Sequence, residues 1–316
     1  MSNMHAVQFT SFGCADVLTI NQVPVPVAAP GEVLVRVRAA GINHHDLINR
    51  SGAMKFIMGR KFPFGTGLEF AGNVVAGEAF AAGQMVWGSV PAMKPRATGA
   101  MAEYVVVPAD RVSTAPADLS AIEAASLVVS TTTAYRGLHE LGQIASGDRV
   151  LIRGAAGGVG LAAVQVAVAA GAAVTALSSA RDFEVLRELG AKTTLDYRAT
   201  RIGDLGSFEL IFDTVGTSML AYRRHLARNG RMVTIVFSSF SMLLSIGVSA
   251  IFGAKKIRAF SSDAKAELLE HVRDLAESGH LRAMIASTYP LASIAQAHRD
   301  QEKGGVLGKR VITLPS

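Results

Sequence analysis

Residues 148–181 read DRVLIRGAAGGVGLAAVQVAVAAGAAVTALSSAR, and this stretch decides the fold class. The mostly apolar residues 149–153 predict a buried strand, the glycine-rich GAAGGVG follows at 154–160, and a helix is predicted over 159–170. A second strand at 173–177 completes a βαβ unit. Because a glycine-rich loop between a strand and a helix is the context in which this motif signals a dinucleotide site, the sequence predicts an α/β dinucleotide-binding domain.

The glycine loop matches the pattern AxGxxG, with Ala155 at the position that usually holds the first glycine. Gly157 would let the backbone approach a pyrophosphate, and Gly160 would let the helix pack closely on the strand. The N–H groups at the start of the helix, from Gly158 and Val159 onward, favour a bound phosphate. We therefore expect these five residues to bind a dinucleotide; a tight βα turn without a ligand is the alternative.

The choice of cofactor is made at the end of the second strand of such a unit, where NAD-binding proteins place a carboxylate on the ribose 2′-hydroxyl. This chain has Ser178 and Ser179 there, followed by Arg181. Two hydroxyls and a guanidinium suit a 2′-phosphate, whereas a carboxylate would repel it. NADP is therefore predicted. Asp182 is the one carboxylate nearby, and an aspartate at a helix start more often interacts with the helix dipole.

The pattern of elements changes near residue 120. Before it, short β-like runs separated by glycine and proline (33–41, 72–77, 84–90 and 103–107) predict an antiparallel, barrel-like β domain. After it, apolar strands alternate with helices, which predicts a parallel, doubly wound sheet. Beyond the βαβ unit, the predicted helices are 121–141, 181–189, 219–226 and 264–278, and the predicted strands are 193–195, 210–213, 231–236, 256–260 and a terminal RVITL.

Composition excludes several classes of protein. The chain has 316 residues, 50% of them hydrophobic, and a formal net charge of +6 with the basic residues scattered, so we expect no nucleic-acid partner. The single cysteine, Cys14, excludes an intrachain disulfide and a multi-cysteine zinc site. The N-terminus lacks a secretory signal pattern, which predicts a cytoplasmic protein.

One stretch, residues 233–254, carries no charge and is long enough to span a bilayer. It contains several serines, and a buried strand followed by a loop and a short apolar helix is the preferred interpretation. No spanning segment is therefore predicted, and peripheral contact with a membrane is the alternative.

The chain resembles the medium-chain dehydrogenase/reductase superfamily, in its zinc-free quinone oxidoreductase and reticulon-interacting-protein-like branch. The resemblance runs nearly end to end, through GEVLVRVRAAGINHHDLINRSG, FPFGTGLEFAG, GAMAEYVVVPADRV, TTTAYRGL, GAAGGVG, LGAKTTLDYR, FDTVG and GKRVITL. It implies a Rossmann NADP-binding domain at 122–262 inserted into a GroES-like antiparallel β-barrel catalytic domain formed by 1–121 and 263–316. It also implies a homodimer joined through the strand at 256–260.

Zinc-dependent relatives place a catalytic cysteine where this chain has Asn43, and a histidine where it has Leu68, although Glu69 remains. The adjacent His44 and His45 would point apart, so no metal site is predicted. Without a Lewis acid, the resemblance implies hydride transfer from NADPH to an acceptor that spreads negative charge itself, a quinone or an α,β-unsaturated carbonyl.

The resemblance also assigns roles to single residues. Asn43, Asp46 and Thr133 are the catalytic candidates. Asn43 would lie near the nicotinamide, Asp46 would help to fix that loop, and Thr133 would bond the nicotinamide ribose or carboxamide. Asn43 could instead cap a turn, and Thr133 could be an ordinary helix hydroxyl. Further cofactor contacts are implied for Tyr197, Gly216, Phe237 and Ser238. Lys309 is implied as a phosphate or loop contact, with a solvated lysine as the alternative. No side chain stands out as a general acid, so an NADP-binding interaction or regulatory protein with little turnover is the second hypothesis.

Overall fold

The computed structural model of the chain describes residues 2–59, 61–92, 96–236, 256–261 and 263–315. Its strands, in chain order, are β1 (Asn3–Phe9), β2 (Thr19–Pro24), β3 (Glu32–Gly41), β4 (Phe64–Gly65), β5 (Glu69–Ala76), β6 (Met85–Ser89), β7 (Tyr104–Pro108), β8 (Val112–Thr114), β9 (Arg149–Arg153), β10 (Ala173–Ser178), β11 (Thr193–Asp196), β12 (Phe208–Asp213), β13 (Leu226–Thr234), β14 (Lys256–Ala259), β15 (Ile285–Pro290) and β16 (Lys309–Thr313).

The α-helices in the same described ranges are α1 (His44–Arg50), α2 (Lys55–Met58), α3 (Ala121–Tyr135), α4 (Gly158–Ala169), α5 (Phe183–Glu188), α6 (Met219–Arg223), α7 (Ala266–Glu277) and α8 (Ile294–Lys303). A π-helical segment, Arg136–Leu141, continues α3. No helix of the described ranges has the length and apolar character that crossing a membrane requires. Most of the uncharged stretch 233–254 lies outside those ranges.

The chain forms two compact units. The first comprises Met1–Val129, Asp263–Glu277 and Ala283–Ser316, and the second comprises Ser130–Ser262 and Ser278–Arg282. The division therefore falls within α3, beyond the boundary expected after residue 121, and the short 278–282 segment belongs to the second unit. A change in sequence pattern marks where an element begins, whereas the division follows which residues pack together.

The second unit is built on a parallel sheet with the order β11-β10-β9-β12-β13-β14. This is the 3-2-1-4-5-6 order of dinucleotide-binding folds, with the reversal point between β9 and β12. Val150, Leu151 and Ile152 of β9 are fully buried, as a strand covered on both faces requires. Helix α4 is apolar on nearly all sides and correspondingly buried from Gly160 to Ala167. The predicted doubly wound parallel sheet is confirmed.

The first unit contains a sheet with the order β15-β16-β3-β5-β6-β8, in which β7 also pairs with β3, and a smaller sheet β2-β1-β4. In the middle of strand β3, Val35, Val37 and Ala39 are buried while Arg36 and Arg38 between them are less so, as a half-buried strand requires. The pairs are antiparallel except β15 with β16, which run parallel. That parallel pair and the pairing of β16 with β3 bring the C-terminal strand beside Gly41.

Candidate functional site

The glycine loop of the second unit joins β9 to α4. The Gly154 and Ala155 N–H groups both donate to the Leu177 carbonyl of the neighbouring strand, each at 3.1 Å. A side chain on Gly160 would overlap the Gly154 carbonyl oxygen and lie 2.8 Å from Ala155 Cα. Gly160 is therefore required for the close approach of helix and loop, as the motif predicts.

Gly157 differs from Gly160, because a Cβ built on it would meet only the Gly154 carbonyl oxygen, at an ordinary 3.6 Å. It is exposed and is the N-cap of α4, with φ −74° and ψ 164°, a conformation open to any residue. Nothing within the fold thus requires glycine here. The space beside Gly157, with the first-turn N–H groups of Gly158 and Val159 lacking intrahelical acceptors, fits a bound pyrophosphate.

Residues predicted to select the cofactor lie at the carboxyl ends of β10 and β11. The Tyr197 N–H donates to the Ser178 carbonyl at 3.1 Å, and the Ser178 hydroxyl donates to the Ser179 carbonyl at 3.1 Å. The Arg181 side chain is 61% exposed and lies 3.3 Å from Asp182. The structure therefore brings the predicted cofactor-selecting residues to one edge of the sheet: Ser178, Ser179, Arg181 and Tyr197. The exposed guanidinium of Arg181 is chemically suited to bind a phosphate.

A buried ion pair joins the carboxyl ends of β9 and β12. Arg153, the last residue of β9, lies 2.8 Å from Asp213, the last residue of β12, and its guanidinium stacks 3.6 Å above the Tyr222 ring. Asp213 in turn accepts the N–H groups of Val215 and Gly216, at 3.0 and 3.2 Å. This carboxylate therefore fixes the backbone conformation of the loop in which Gly216 was expected to line the dinucleotide.

We expect Arg153→Met to lower the free energy of unfolding by about 3–5 kcal/mol, because it leaves the buried Asp213 carboxylate without its cation. Urea unfolding followed by circular dichroism measures the change. Arg149→Met, on the same strand but in the exposed pair with Glu209, is the matched control and should cost much less. Equal losses of unfolding free energy in the two variants would contradict a structural role for the buried Arg153–Asp213 pair.

The catalytic candidates of the first unit lie where β3 ends and α1 begins. The Asn43 N–H donates to Asp46 Oδ2 at 2.8 Å. Asp46 Oδ1 accepts the Gly67 N–H at 3.0 Å and the Thr66 hydroxyl at 3.3 Å. Asp46 is 3% exposed and thus joins the start of α1 to the segment before β5.

The Asn43 side chain does not serve only as a turn cap, because both ends of its carboxamide have partners. Its Nδ2 donates to Glu69 Oε1 at 2.8 Å, and its Oδ1 accepts from Lys309 Nζ at 2.5 Å. Lys309 Nζ also lies 2.7 Å from Glu69 Oε1, with side-chain exposures of 8% and 0%. The alternative of a solvated Lys309 is therefore wrong, since β16 places its ammonium inside the first unit.

Glu69 is the acidic centre of this cluster. Burial raises the pKa of Glu69, and the hydrogen bonds from Lys309, the Val129 N–H (2.5 Å) and Asn43 oppose that shift by stabilising the carboxylate. A side chain on Gly41 would overlap Glu69 Oε1, so glycine at the end of β3 is what admits the carboxylate.

A cavity of the first unit borders Asp46 and is lined by residues that include His45, Asn49, Thr66, Gly67 and Val90. His45 Nε2 and Asn49 Oδ1 are buried, and neither has a hydrogen-bond partner in the described part of the chain. Burial lowers the pKa of His45 and outweighs the opposing effect of the Asp46 charge. Nothing in the sequence pattern predicts that His45 and Asn49 line a cavity.

His298, on α8, is a fully buried imidazole whose nitrogens have no partner among the described residues. Burial lowers the pKa of His298 to about 4 from the ordinary 6.5. The unfolded chain therefore binds more protons than the folded chain between these values, so stability is lost as the pH falls through this window. We expect His298 to remove up to ~3 kcal/mol of unfolding free energy between pH 7 and pH 4.

Urea unfolding of the wild type and His298→Leu across this pH range checks that prediction. The variant should lose stability less steeply as the pH falls, whereas His280→Gln, a change at an exposed histidine, should follow the wild type. Parallel curves for wild type and His298→Leu would contradict it.

The remaining predicted site residues are Thr133, Phe237 and Ser238. Thr133 lies in α3, is 4% exposed and belongs to the second unit, whereas Asn43 and Asp46 belong to the first. Phe237 and Ser238 lie outside the described residues.

The donor set at Asn43 does not fit a zinc ion. The position of the family's metal-binding cysteine holds a carboxamide, the adjacent Leu68 offers no donor, and the Glu69 carboxylate is bonded to an ammonium group. Zinc sites take thiolate, imidazole and carboxylate ligands. Within the described ranges, no three histidine, cysteine or acidic side chains are grouped so that they could hold a metal.

Comparison with known proteins places these features in a family. Residues 29–117 match the alcohol dehydrogenase GroES-like domain, and residues 189–312 match the zinc-binding dehydrogenase family. The mitochondrial NAD(P)H oxidoreductase RTN4IP1 of Homo sapiens is 30% identical over 98% of this chain and 89% of its own. The 2-methylene-furan-3-one reductase of Solanum lycopersicum is 30% identical over 98% of this chain and 79% of its own. The solved quinone oxidoreductase from Coxiella burnetii has a TM-score of 0.89 and 26% identity, covering 99% of this chain and all of that one.

A parallel sheet with a dinucleotide loop, together with a GroES-like domain, defines a nicotinamide-dependent oxidoreductase. The chain belongs to the medium-chain dehydrogenase/reductase superfamily, in its quinone oxidoreductase-like branch, and it is an NAD(P)H-dependent oxidoreductase.

Proposed function

We propose that the protein transfers a hydride from NADPH to a quinone or an α,β-unsaturated carbonyl without a metal ion. One observation carries the proposal: the positions at which zinc-dependent relatives place metal ligands hold Asn43 and Leu68, and the Asn43 carboxamide is bonded to the adjacent Glu69 carboxylate and the Lys309 ammonium. Because this donor set offers a metal no open position, the acceptor must accommodate negative charge by itself.

When bound, the reduced nicotinamide supplies a hydride. In an enone, hydride adds at the carbon β to the carbonyl, the π electrons move onto oxygen as an enolate, and a proton from water then completes the reduction. In a quinone the charge becomes a phenolate. An isolated ketone would instead develop a localised alkoxide, so we expect the protein to reduce enones and quinones in preference to simple ketones. The names of the tomato and Coxiella proteins agree with these two acceptor classes.

The residues of the chain then act mainly by binding and orientation. The glycine loop and the first turn of α4 would hold the pyrophosphate, and Ser178, Ser179 and Arg181 would hold the 2′-phosphate, which favours NADPH over NADH. Thr133 remains our candidate for the ribose or carboxamide of the nicotinamide. Asn43 and Asp46 remain our catalytic candidates of the first unit, where their hydrogen bonds fix the start of α1.

The test follows the loss of NADPH absorbance with a panel of quinones, enones and saturated ketones. We expect turnover of quinones and enones, weak or no turnover of saturated ketones, and a higher kcat/KM for NADPH than for NADH. Tight NADPH binding without turnover of any acceptor would overturn it in favour of an NADP-binding interaction or regulatory protein.

The remaining predictions concern the assembly and location of the protein. Strand β14 pairs only with β13 in the described sheet, so its free edge is where we place a homodimer contact. Analytical ultracentrifugation measures whether the protein is a dimer in solution. The cytoplasmic location also stays a prediction, and the name of the human relative places that protein in mitochondria.

A further inference from the structure

Lys309 makes contacts that a cofactor-phosphate ligand would not make. Its Nζ lies 2.7 Å from Glu69 Oε1 and 2.5 Å from Asn43 Oδ1, and its side chain is 8% exposed. A phosphate ligand would direct its ammonium at the bound phosphate. Here the ammonium is directed at a fully buried carboxylate of the same unit.

These contacts allow the Asn43 carboxamide one orientation. An ammonium group can only donate a hydrogen bond and a carboxylate can only accept one. The amide oxygen must therefore face Lys309 and the amide nitrogen must face Glu69, as observed. A flipped amide would set two donors against each other and two acceptors against each other.

The same ammonium also neutralises Glu69. Burial without a partner would make this carboxylate costly, and a metal ion or a protonated side chain can compensate its charge. Strand β16 supplies the compensation from within the chain, because Lys309 begins the strand whose Val311 pairs with Gly41 of β3.

We propose that Lys309 is the resident cation of this centre, in place of a metal ion, and that it acts as a positioning residue that fixes Asn43 for catalysis. The kinetic part of this assignment rests on the proposed function, whereas the thermal and metal-binding parts do not. It replaces the expectation that Lys309 contacts a cofactor phosphate.

The experiment compares the full-length wild type with Lys309→Met, Lys309→Arg and the double variant Lys309→Met/Glu69→Gln. Thermal unfolding, the Kd for NADPH, kcat and KM for the best acceptor, and the shift of Tm with added ZnCl₂ or chelator are measured for each. The double variant removes both the ammonium and the carboxylate, so it leaves no unbalanced buried charge but still lacks the ammonium that positions Asn43.

Lys309→Met should lower Tm by roughly 5–10 °C, and the double variant should recover most of that loss. In both, kcat should fall roughly 10- to 100-fold, since Asn43 is no longer held, while the Kd for NADPH stays within about a factor of three. Lys309→Arg keeps the charge and should retain more kcat than Lys309→Met. Neither zinc nor chelator should shift the Tm of the wild type.

Three results would overturn the assignment. A tenfold or larger rise in the Kd for NADPH with kcat retained would make Lys309 a phosphate ligand. An unchanged kcat in the stable double variant would leave it a purely structural residue. A zinc-dependent rise in the Tm of the wild type would show that the centre takes a metal. If no acceptor is reduced at all, the proposed function fails. The assignment of Lys309 as the resident cation is then still decided by two measurements, the recovery of Tm in the double variant and the effect of zinc on the Tm of the wild type.

Discussion

Gly157→Asp should weaken NADPH binding at least about 100-fold while leaving the fold intact. Aspartate is among the best N-cap residues, and the backbone at Gly157 has a conformation that any residue adopts, so the apo protein should unfold at or above the wild-type temperature. A carboxylate about 4 Å from a phosphate costs roughly 4 kcal/mol at an effective dielectric constant of 20. We therefore expect the Kd for NADPH, measured by fluorescence titration, to rise at least about 100-fold.

Gly160→Ala is the matched control within the same loop. Its Cβ would overlap the Gly154 carbonyl, so this smaller change should lower the Tm of the apo protein, which Gly157→Asp should not do. If Gly157→Asp still binds NADPH with nearly wild-type affinity, the pyrophosphate does not lie at this helix start, and the cofactor site must be placed elsewhere.

Arg181→Ala should remove most of the preference for NADPH. A hydrogen-bonded contact with a charged group contributes about 1.5–3 kcal/mol, so affinity for NADPH should fall roughly 10- to 100-fold. NADH has no 2′-phosphate, and its affinity should hardly change. Isothermal titration of both cofactors against wild type and variant gives the two ratios directly.

Arg201→Ala provides the control for Arg181, because Arg201 is another exposed arginine of the second unit and pairs with Asp204. It should leave both affinities unchanged. A wild type that binds NADH as tightly as NADPH, or an Arg181→Ala variant that loses affinity for both cofactors alike, would refute the serine and arginine argument for NADP.

The cofactor sheet could be predicted from local sequence because its strands are short apolar runs and its loop is a glycine motif. The predicted strand 149–153 coincides with β9. The predicted strand 231–236 was less accurate, since β13 begins at Leu226 and continues through Arg228, Asn229 and Gly230. Asn229 and Gly230 are turn-forming residues. Residues 227–230 lie at the register shift between the Phe208–Leu226 and Leu210–Arg231 pairs, where the β12–β13 register skips them.

The candidate site of the first unit was only partly predictable. Asn43 and Asp46 fall within a recognisable segment, and a local hydrogen bond joins them. The partner of Asn43, Lys309, comes from the far end of the chain and reaches it through the pairing of β16 with β3. No periodicity or spacing in the sequence indicates that pairing, so a buried lysine could not be told from a solvated one. The cavity at His45 and Asn49 depends on the same tertiary packing.

Transfer of deuterium by metal-free protein tests the central claim most directly. Protein treated with chelator, with zinc measured at well under one ion per chain, is given NADPH deuterated at the transferring position of C4 and an enone that the panel identifies as an acceptor. We predict full turnover and a product carrying deuterium at the carbon β to the carbonyl. Loss of turnover on chelation that added zinc restores, or a product labelled at the carbonyl carbon, would contradict it.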